Sequence, residues 1–228
     1  RLVRFQPPQE TMWASDTGNR YGVRVDTGVA EGGEIPMYYD SMIAKLIVHG
    51  TDRADAIAKA REALNGFVIR GISSNIPFQA ALLAHPKFQA GDFNTGFIAE
   101  HYAKGFRAED VVHDDPAFLV ALAAYVNRRA LERSAGITGQ MPGHEFKVGE
   151  DFVVVQIGEA GKNQRHPVKV SGFDVQSGTS LVEVGGKRYA FNSGWHLGAA
   201  RIRGTVNGQP FTAQVERGLP RNPLGIAV

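Results

Sequence analysis

One run of apolar residues constrains the fold of this chain more than any other feature. Every residue from Ala117 to Val126 is aliphatic or aromatic. Asp115 stands before the run as a helix N-cap, and Pro116 suits the first helical position. The sequence therefore predicts a long helix over residues 115–133 whose first two thirds are apolar on nearly every face. Such a helix has to be buried on most sides.

Short segments with strand-like alternation follow this helix to the end of the chain. They are residues 152–157, 166–171, 180–184, 187–191, 200–206, 211–215 and 225–228. Asn207-Gly208, between two of them, is a strong signal for a two-residue hairpin. Short strands at this spacing are typical of an antiparallel barrel or sandwich. We therefore expect an antiparallel β-barrel over residues 151–228 that encloses the long helix.

The first hundred residues mix strands with helices instead. The pattern predicts strands at 2–5, 21–26 and 43–48, a loop at 9–20, and helices after Asp52, at 75–84 and at 95–102. This arrangement is typical of an α+β unit. Residues 103–116 have the composition of a linker. We accordingly predict two domains, over residues 1–104 and 105–228.

Composition excludes several classes of protein. The chain has 228 residues, of which 43% are hydrophobic and 21% charged, as in ordinary globular proteins. Its 25 basic and 23 acidic residues nearly balance, which argues against a dedicated nucleic-acid binder. No apolar run reaches the roughly 18 residues of a membrane span. Cysteine is absent, and none of the seven histidines has a partner at metal spacing, so we expect no metal site.

Arg24 is the candidate catalytic residue of the first domain. It alternates with Val23 and Val25 on a predicted strand, so its side chain lies on the opposite face. For an isolated arginine, a surface salt bridge would be the plain interpretation. Here Gly22-Val23-Arg24 precedes the segment Met-Tyr-Tyr-Asp-Ser-Met-Ile-Ala-Lys-Leu at residues 37–46. This pattern resembles the C-terminal part of biotin carboxylases, which have an ATP-grasp fold.

The resemblance continues through residues 51–57, 71–75 and 93–98, and it covers residues 1 to about 102. It implies that Arg24 faces the ureido ring of biotin and stabilises the oxyanion formed when the ring nitrogen loses its proton. A fixed, always charged guanidinium suits that role. Asp40, Ser41 and Lys45 match the same motif, and we expect structural roles for them.

Other parts of such an enzyme have no counterpart in this sequence. It contains no glycine-rich nucleotide loop, no paired metal-binding glutamates, no bicarbonate motif and no Ala-Met-Lys-Met biotin attachment motif. We therefore expect ATP, Mg²⁺ and the attached biotin to be bound by other parts of the enzyme. The chain begins at Arg1 and ends in a strand-like run, so we interpret both ends as cuts in a longer polypeptide.

The second domain is similar to the subunit-docking domain of propionyl-CoA carboxylase α subunits. A long helix, a loop at 136–148 and a β-barrel occur there in the same order. The resemblance implies that the loop acts as a hook that docks onto the β subunit. Its candidate interface residues are Gly139, Gln140, Met141, Pro142, Gly143 and His144. An exposed methionine beside proline and glycine suits such an anchor.

Taken together, the two resemblances imply part of the α subunit of a biotin-dependent acyl-CoA carboxylase, a ligase of fatty acid metabolism that acts on propionyl-CoA. Its expected partners are a β subunit, in an α/β hetero-oligomer, and a biotin carrier domain of the same polypeptide, with no nucleic acid and no membrane. We expect it in the cytoplasm, or in the mitochondrial matrix of a eukaryote. Three alternatives stay open, namely a methylcrotonyl-CoA carboxylase, a non-catalytic docking scaffold, and a purine-pathway carboxylase of the ATP-grasp fold.

Overall fold

The structure, a computed structural model, describes residues 1–15, 18–35, 38, 42–107, 113–157 and 162–216. The chain divides into two compact units, Arg1–His113 and Asp114–Val228, which we describe separately as unit 1 and unit 2. Within the described ranges, no helix is both long and apolar enough to cross a bilayer.

Unit 1 contains two small antiparallel sheets. Their strands are β1 (Arg4–Gln6), β2 (Thr11–Ser15), β3 (Gly18–Thr27), β4 (Ala44–Val48) and β5 (Val68–Arg70). One sheet has the order β2-β3-β4, and β1 pairs with β5 in the other. Residues facing each other across β3 and β4 alternate between the two faces of the sheet. Val23 is buried on one face of the β2-β3-β4 sheet, and its neighbours along β3 point to the other face.

Four helices complete unit 1. They are α1 (Arg53–Asn65), α2 (Ile76–Ala84), α3 (Pro86–Ala90) and α4 (Phe97–His101). Asp52 caps α1 as predicted, because its carboxylate accepts a hydrogen bond of 2.8 Å from the Asp55 N–H. Helix α1 packs against β3 and β4 and buries Leu64 among the core residues. This packing leaves the opposite face of the sheet exposed.

One local prediction for unit 1 was wrong, and one helix was not predicted. The predicted loop at 9–20 contains strand β2 and the start of β3, because cross-strand pairing satisfies the backbone of these polar residues. A short helix that the pattern did not predict, α3, begins at Pro86 just after the end of α2. Proline is well suited to the first position of a helix, where its missing N–H costs nothing.

Unit 2 is built on one long helix and one sheet. The helix α5 spans Pro116–Ala135 and confirms the prediction at 115–133 within three residues. The strands are β6 (Asp151–Gln156), β7 (Gln164–Ser171), β8 (Thr179–Val184), β9 (Lys187–Asn192), β10 (Arg201–Val206) and β11 (Gln209–Gln214). All neighbours are antiparallel, in the order β11-β10-β9-β8-β7-β6. The predicted strand at 225–228 lies outside the described residues.

The hairpin predicted at Asn207-Gly208 is present between β10 and β11. Val206 pairs with Gln209 across it, and both turn residues have positive φ, 51° and 80°. These angles belong to the tight turns that match the twist of the flanking strands. The six described strands thus form a meander with β6 and β11 at its ends, and closure into a barrel stays a prediction.

The core of unit 2 lies between α5 and the sheet. Leu122 and Val126 are buried as predicted, whereas Leu119 and Ala123 are only half-buried. The cluster around the helix takes residues from β7 to β11, and its aromatic members are Tyr125, Tyr189, Phe191 and Trp195. Helix α5 contacts β6, β7, β8 and β9. Its apolar run is therefore covered by most of the sheet.

Hydrogen bonds from Lys187 and Tyr189 to Asp115 fix the start of α5 to the sheet. The carboxylate of Asp115 accepts hydrogen bonds from Lys187 Nζ at 2.8 Å and from the Tyr189 hydroxyl at 2.7 Å. The hydrogen bond from Lys187, followed by that from Tyr189, outweighs partial burial and holds the pKa of Asp115 below its usual range. Desolvation and the same carboxylate raise the pKa of Tyr189 well above its ordinary value. The charged form of Asp115 therefore stabilises the fold.

Leu122→Asp should destabilise unit 2 severely. Leu122 has no exposed surface, and an unpaired carboxylate there would cost about 3–5 kcal/mol of unfolding free energy. Urea denaturation followed by circular dichroism measures the loss. Val175→Asp is the control, because Val175 is 58% exposed in the same unit. Equal stability of the two variants would contradict the buried position of this helix face.

Asp115→Asn should weaken unit 2 in a pH-dependent way. The pKa of Asp115 is depressed in the folded protein, so its stabilisation is complete above the unfolded pKa of about 3.9 and is lost as the pH falls through the folded pKa. The parent should exceed the variant in unfolding free energy at pH 7 and pH 5. This difference in unfolding free energy should shrink below about pH 4. A difference that stays constant from pH 7 to below pH 4 would contradict the stabilising role of the Asp115 charge.

Candidate functional site

Arg24 lies on the exposed face of the β2-β3-β4 sheet. It is directly opposite Ile47 on β4, and Asp26 is opposite Lys45. Val23 and Val25 point to the other face, where Val23 is buried. The period of two along a strand thus places a cationic, an anionic and a second cationic side chain together on one face.

The guanidinium of Arg24 is held by the carboxylate of Asp26. Arg24 Nε lies 3.0 Å from Asp26 Oδ1, and Nη2 donates to Oδ2 at 3.2 Å. The two side chains remain 44% and 51% exposed. This paired geometry fixes the plane of the guanidinium, while three of its five N–H groups lie outside the pair. An anionic or enolate-like oxygen can therefore approach an oriented cation.

Glu10 supports the backbone beside Arg24. Its Oε1 accepts a hydrogen bond of 2.9 Å from the N–H of Val25, the residue next to the arginine. Gly22 brings β3 close to β2, since a Cβ atom there would lie 2.9 Å from Thr11 Oγ1. Glu10 was not predicted as a site residue, because residues 9–20 were expected to form a loop. The proximity of Glu10 to Val25 follows only from the pairing of β2 with β3.

Only part of the 37–46 motif lies within the described residues. Asp40 and Ser41 lie outside the described residues, so their expected structural roles stay predictions. Lys45 is exposed on β4, on the same face as Arg24. Tyr38 is 97% exposed and Met42 is 48% exposed. Lys45 is therefore the described residue of the motif that shares a sheet face with Arg24.

An apolar cavity of about 1140 Å³ occupies the opposite side of the same sheet. It is lined mainly by aliphatic residues of β4, α1 and α2, such as Leu46, Ile57 and Leu82. Arg24 does not line it. Among the described residues, no group of three or more His, Asp or Glu side chains could hold a metal ion.

The predicted hook loop joins α5 to β6 in unit 2. Its tip is a turn in which the His144 N–H donates to the Met141 carbonyl at 3.0 Å. Gly139 and Gly143 adopt φ values of 86° and 81°, which favour glycine. The N–H groups of Glu145 itself and of Gly143 hold the pKa of the Glu145 carboxyl below its usual range. The loop therefore has a defined backbone without belonging to a helix or a strand.

Exposed apolar side chains surround this turn. Ile137 is 63% exposed, Met141 68% and Phe146 48%. Large apolar groups grouped on one loop are a typical mark of a protein-binding surface. Met141 was predicted from the sequence as an exposed anchor, whereas Ile137 and Phe146 were not predicted. The composition of the loop gave no signal for them, because neither belongs to the Gly-x-Met pattern.

Comparison with protein families matches both units. Residues 4–100 match the biotin carboxylase C-terminal domain, and residues 119–221 match the propionyl-coenzyme A carboxylase BT domain. The first range contains Arg24, and the second contains the whole loop at 136–148. Together the two ranges cover most of the chain.

Three curated relatives extend these matches. The propionyl-CoA carboxylase alpha chain of Ruegeria pomeroyi is 38% identical over 225 residues, which is 94% of this chain and 32% of that protein. The mitochondrial propionyl-CoA carboxylase alpha chain of Caenorhabditis briggsae is 33% identical over 200 residues, 85% of this chain and 27% of that protein. Biotin carboxylase 1 of Bacillus subtilis is 50% identical over 84 residues, 37% of this chain and 19% of that protein. The chain thus spans about a third, or less, of the length of each of these relatives.

Proposed function

We propose that this chain is part of the α subunit of a biotin-dependent acyl-CoA carboxylase. Its residues 4–100 match the biotin carboxylase C-terminal domain, and its residues 119–221 match the propionyl-coenzyme A carboxylase BT domain. The observation that carries the proposal is the succession of both domains in one chain. That order continues across 225 residues of the Ruegeria pomeroyi alpha chain. The families predicted from the sequence are confirmed.

The proposed activity belongs to the whole enzyme. The α subunit would use ATP and bicarbonate to carboxylate biotin, with release of ADP and phosphate. The carboxyl group would then pass to the α-carbon of propionyl-CoA on a β subunit. We propose propionyl-CoA because the relatives that match most of this chain are named propionyl-CoA carboxylase alpha chains. The name of the Caenorhabditis briggsae relative also supports the mitochondrial matrix for a eukaryotic enzyme.

Arg24 is the residue of this chain that we assign to chemistry. Its guanidinium is oriented by Asp26 and exposed on the sheet face, which fits a flat, neutral ring that becomes anionic when it loses a proton. Bound biotin supplies the ring nitrogen that accepts the carboxyl group. Arg24 would stabilise the negative oxygen beside that nitrogen. The guanidinium would keep its positive charge, because arginine does not deprotonate at the pH at which proteins work.

ATP and Mg²⁺ are assigned to the whole enzyme and not to residues of this chain. The described part of unit 1 has no cluster of three carboxylate or histidine side chains. We propose the arginine face as the contribution of unit 1 to the reaction. We also propose that domain 1–104 is a subdomain of an ATP-grasp enzyme and that the biotin carrier domain meets this face.

Residues 105–228 would dock the α subunit onto the β subunit. The exposed tip at Met141 supports this role, and we propose contact residues over Gly139–His144. The burial of α5 against four strands supports a sheet that wraps the helix as a barrel. Such a barrel would give the loop a rigid base, with both loop ends attached to it.

Arg24→Ala in the full-length enzyme should reduce biotin carboxylation roughly a hundredfold or more, because a fixed cation beside the developing oxyanion is lost. Biotin-dependent ATP hydrolysis measures the effect. The matched control is Arg188→Ala, since Arg188 forms a similar exposed pair with Glu183 at 2.9 Å in unit 2. Near-normal turnover in Arg24→Ala would leave this chain with a docking role only.

Met141→Asp should weaken α–β assembly by about thirtyfold, because central apolar anchors carry much of an interface's binding energy. Carboxylation of free biotin by the α subunit should stay almost unchanged. Val175→Asp is the control, since Val175 has similar exposure elsewhere in unit 2. Analytical ultracentrifugation or co-purification measures assembly. Undiminished assembly, or an equal loss of both activities, would make the hook assignment wrong.

A further inference from the structure

We infer that Gln140 is a positioning residue, whose side-chain amide holds the hook loop in its docking shape from inside. The inference rests on the proposed docking function of residues 136–148. It changes the role first expected for Gln140, which was direct contact with the β subunit. Beside the other residues of Gly139–His144, the large apolar side chains that would touch the partner are then Ile137, Met141 and Phe146.

The contacts of Gln140 all lie within the loop and the end of α5. Its Nε2 donates to the Ala135 carbonyl at 2.5 Å and to the Ile137 carbonyl at 3.0 Å. Its Oε1 accepts from the Phe146 N–H at 2.6 Å. The single amide therefore joins the last residue of the helix to the far side of the turn, eleven positions along the chain.

Burial supports the same division of roles. From residue 136 to residue 147, every residue is exposed except Gln140, which is half-buried. A side chain that faces the loop interior and uses both its donor and its acceptor there has little left to offer a partner. In contrast, Ile137, Met141 and Phe146 point large apolar surfaces outward.

The chemistry of glutamine is specific to this arrangement. An amide supplies two N–H donors for the two carbonyls and one oxygen for the N–H. Glutamate would keep the acceptor but lose both donors, and leucine would lose all three bonds at similar volume. A loop that is already in its bound shape spends less conformational entropy on binding. Loss of the amide should thus weaken assembly without removing any contact surface.

Hydrogen exchange of the Phe146 amide tests the structural step. In the full chain, Gln140→Leu should speed that exchange by about tenfold, because its acceptor is gone. Gln140→Glu should change it less. The thermal unfolding of unit 2 should stay the same in both. Gln176→Leu is the control, since Gln176 is exposed in a turn of the same unit. Unchanged exchange in Gln140→Leu would overturn the inference.

Assembly with the β subunit of the same organism tests the functional step. Gln140→Leu should weaken binding by about tenfold, Gln140→Glu by less, and Met141→Asp by more, with Phe146 exchange unaltered in Met141→Asp. If Met141→Asp weakens assembly but Gln140→Leu does not, the positioning role is wrong and the docking proposal stands. If neither weakens assembly, the docking proposal itself is wrong, and the inference is overturned with it.

Discussion

Burial of Tyr125 is the interaction on which unit 2 depends. Its ring is completely buried and stacks on Phe191 of the sheet, with ring centroids 4.9 Å apart. Its hydroxyl donates to the Gly178 carbonyl at 2.7 Å and lies 3.3 Å from the Ser193 carbonyl. Desolvation therefore raises the pKa of this phenol. One side chain thus joins the helix, the sheet and two loops, and it fixes the rotation of α5 about its axis.

The fixed rotation of α5 also determines where the loop after it begins. Arg128, one turn beyond Tyr125, donates to the Val148 carbonyl at 3.2 Å and to Gly149, and it pairs with Glu132. Gln140 connects the other side of the loop to Ala135. Both ends of the loop are thereby tied to the same helix. The geometry of a surface loop follows in this way from the packing of the core.

Much of this fold can be predicted from the sequence where one signal dominates. Helix α5 was predicted almost to its ends, because ten apolar residues follow a capping aspartate and a proline. The strands of unit 2 follow from alternation between turn residues. Strand β2 was missed because Thr11–Ser15 carries no strong alternation, and its pairing with β3 stabilises it. Long-range pairing of this kind leaves little trace in local composition.

The candidate sites show the same limit. Arg24 and Asp26 share a face because a strand alternates sides, so their proximity can be read from the sequence. The contact of Glu10 with Val25 cannot, since it depends on how β2 lies beside β3. The three hydrogen bonds of Gln140 could not be predicted from the sequence either. A glutamine between glycine and methionine belongs to no pattern, and its role appears only when the loop closes around it.

The two ties that shape the hook loop have an evolutionary consequence. Arg128 and Gln140 bind main-chain carbonyl and N–H groups of the loop, which every amino acid except proline can provide in full. Side chains at positions such as 137, 141 and 146 can therefore change while the backbone keeps its course. A lineage that preserves one arginine and one glutamine can exchange its outward residues one at a time. The exposed surface of the loop can then change by single substitutions, without passing through a misshapen intermediate.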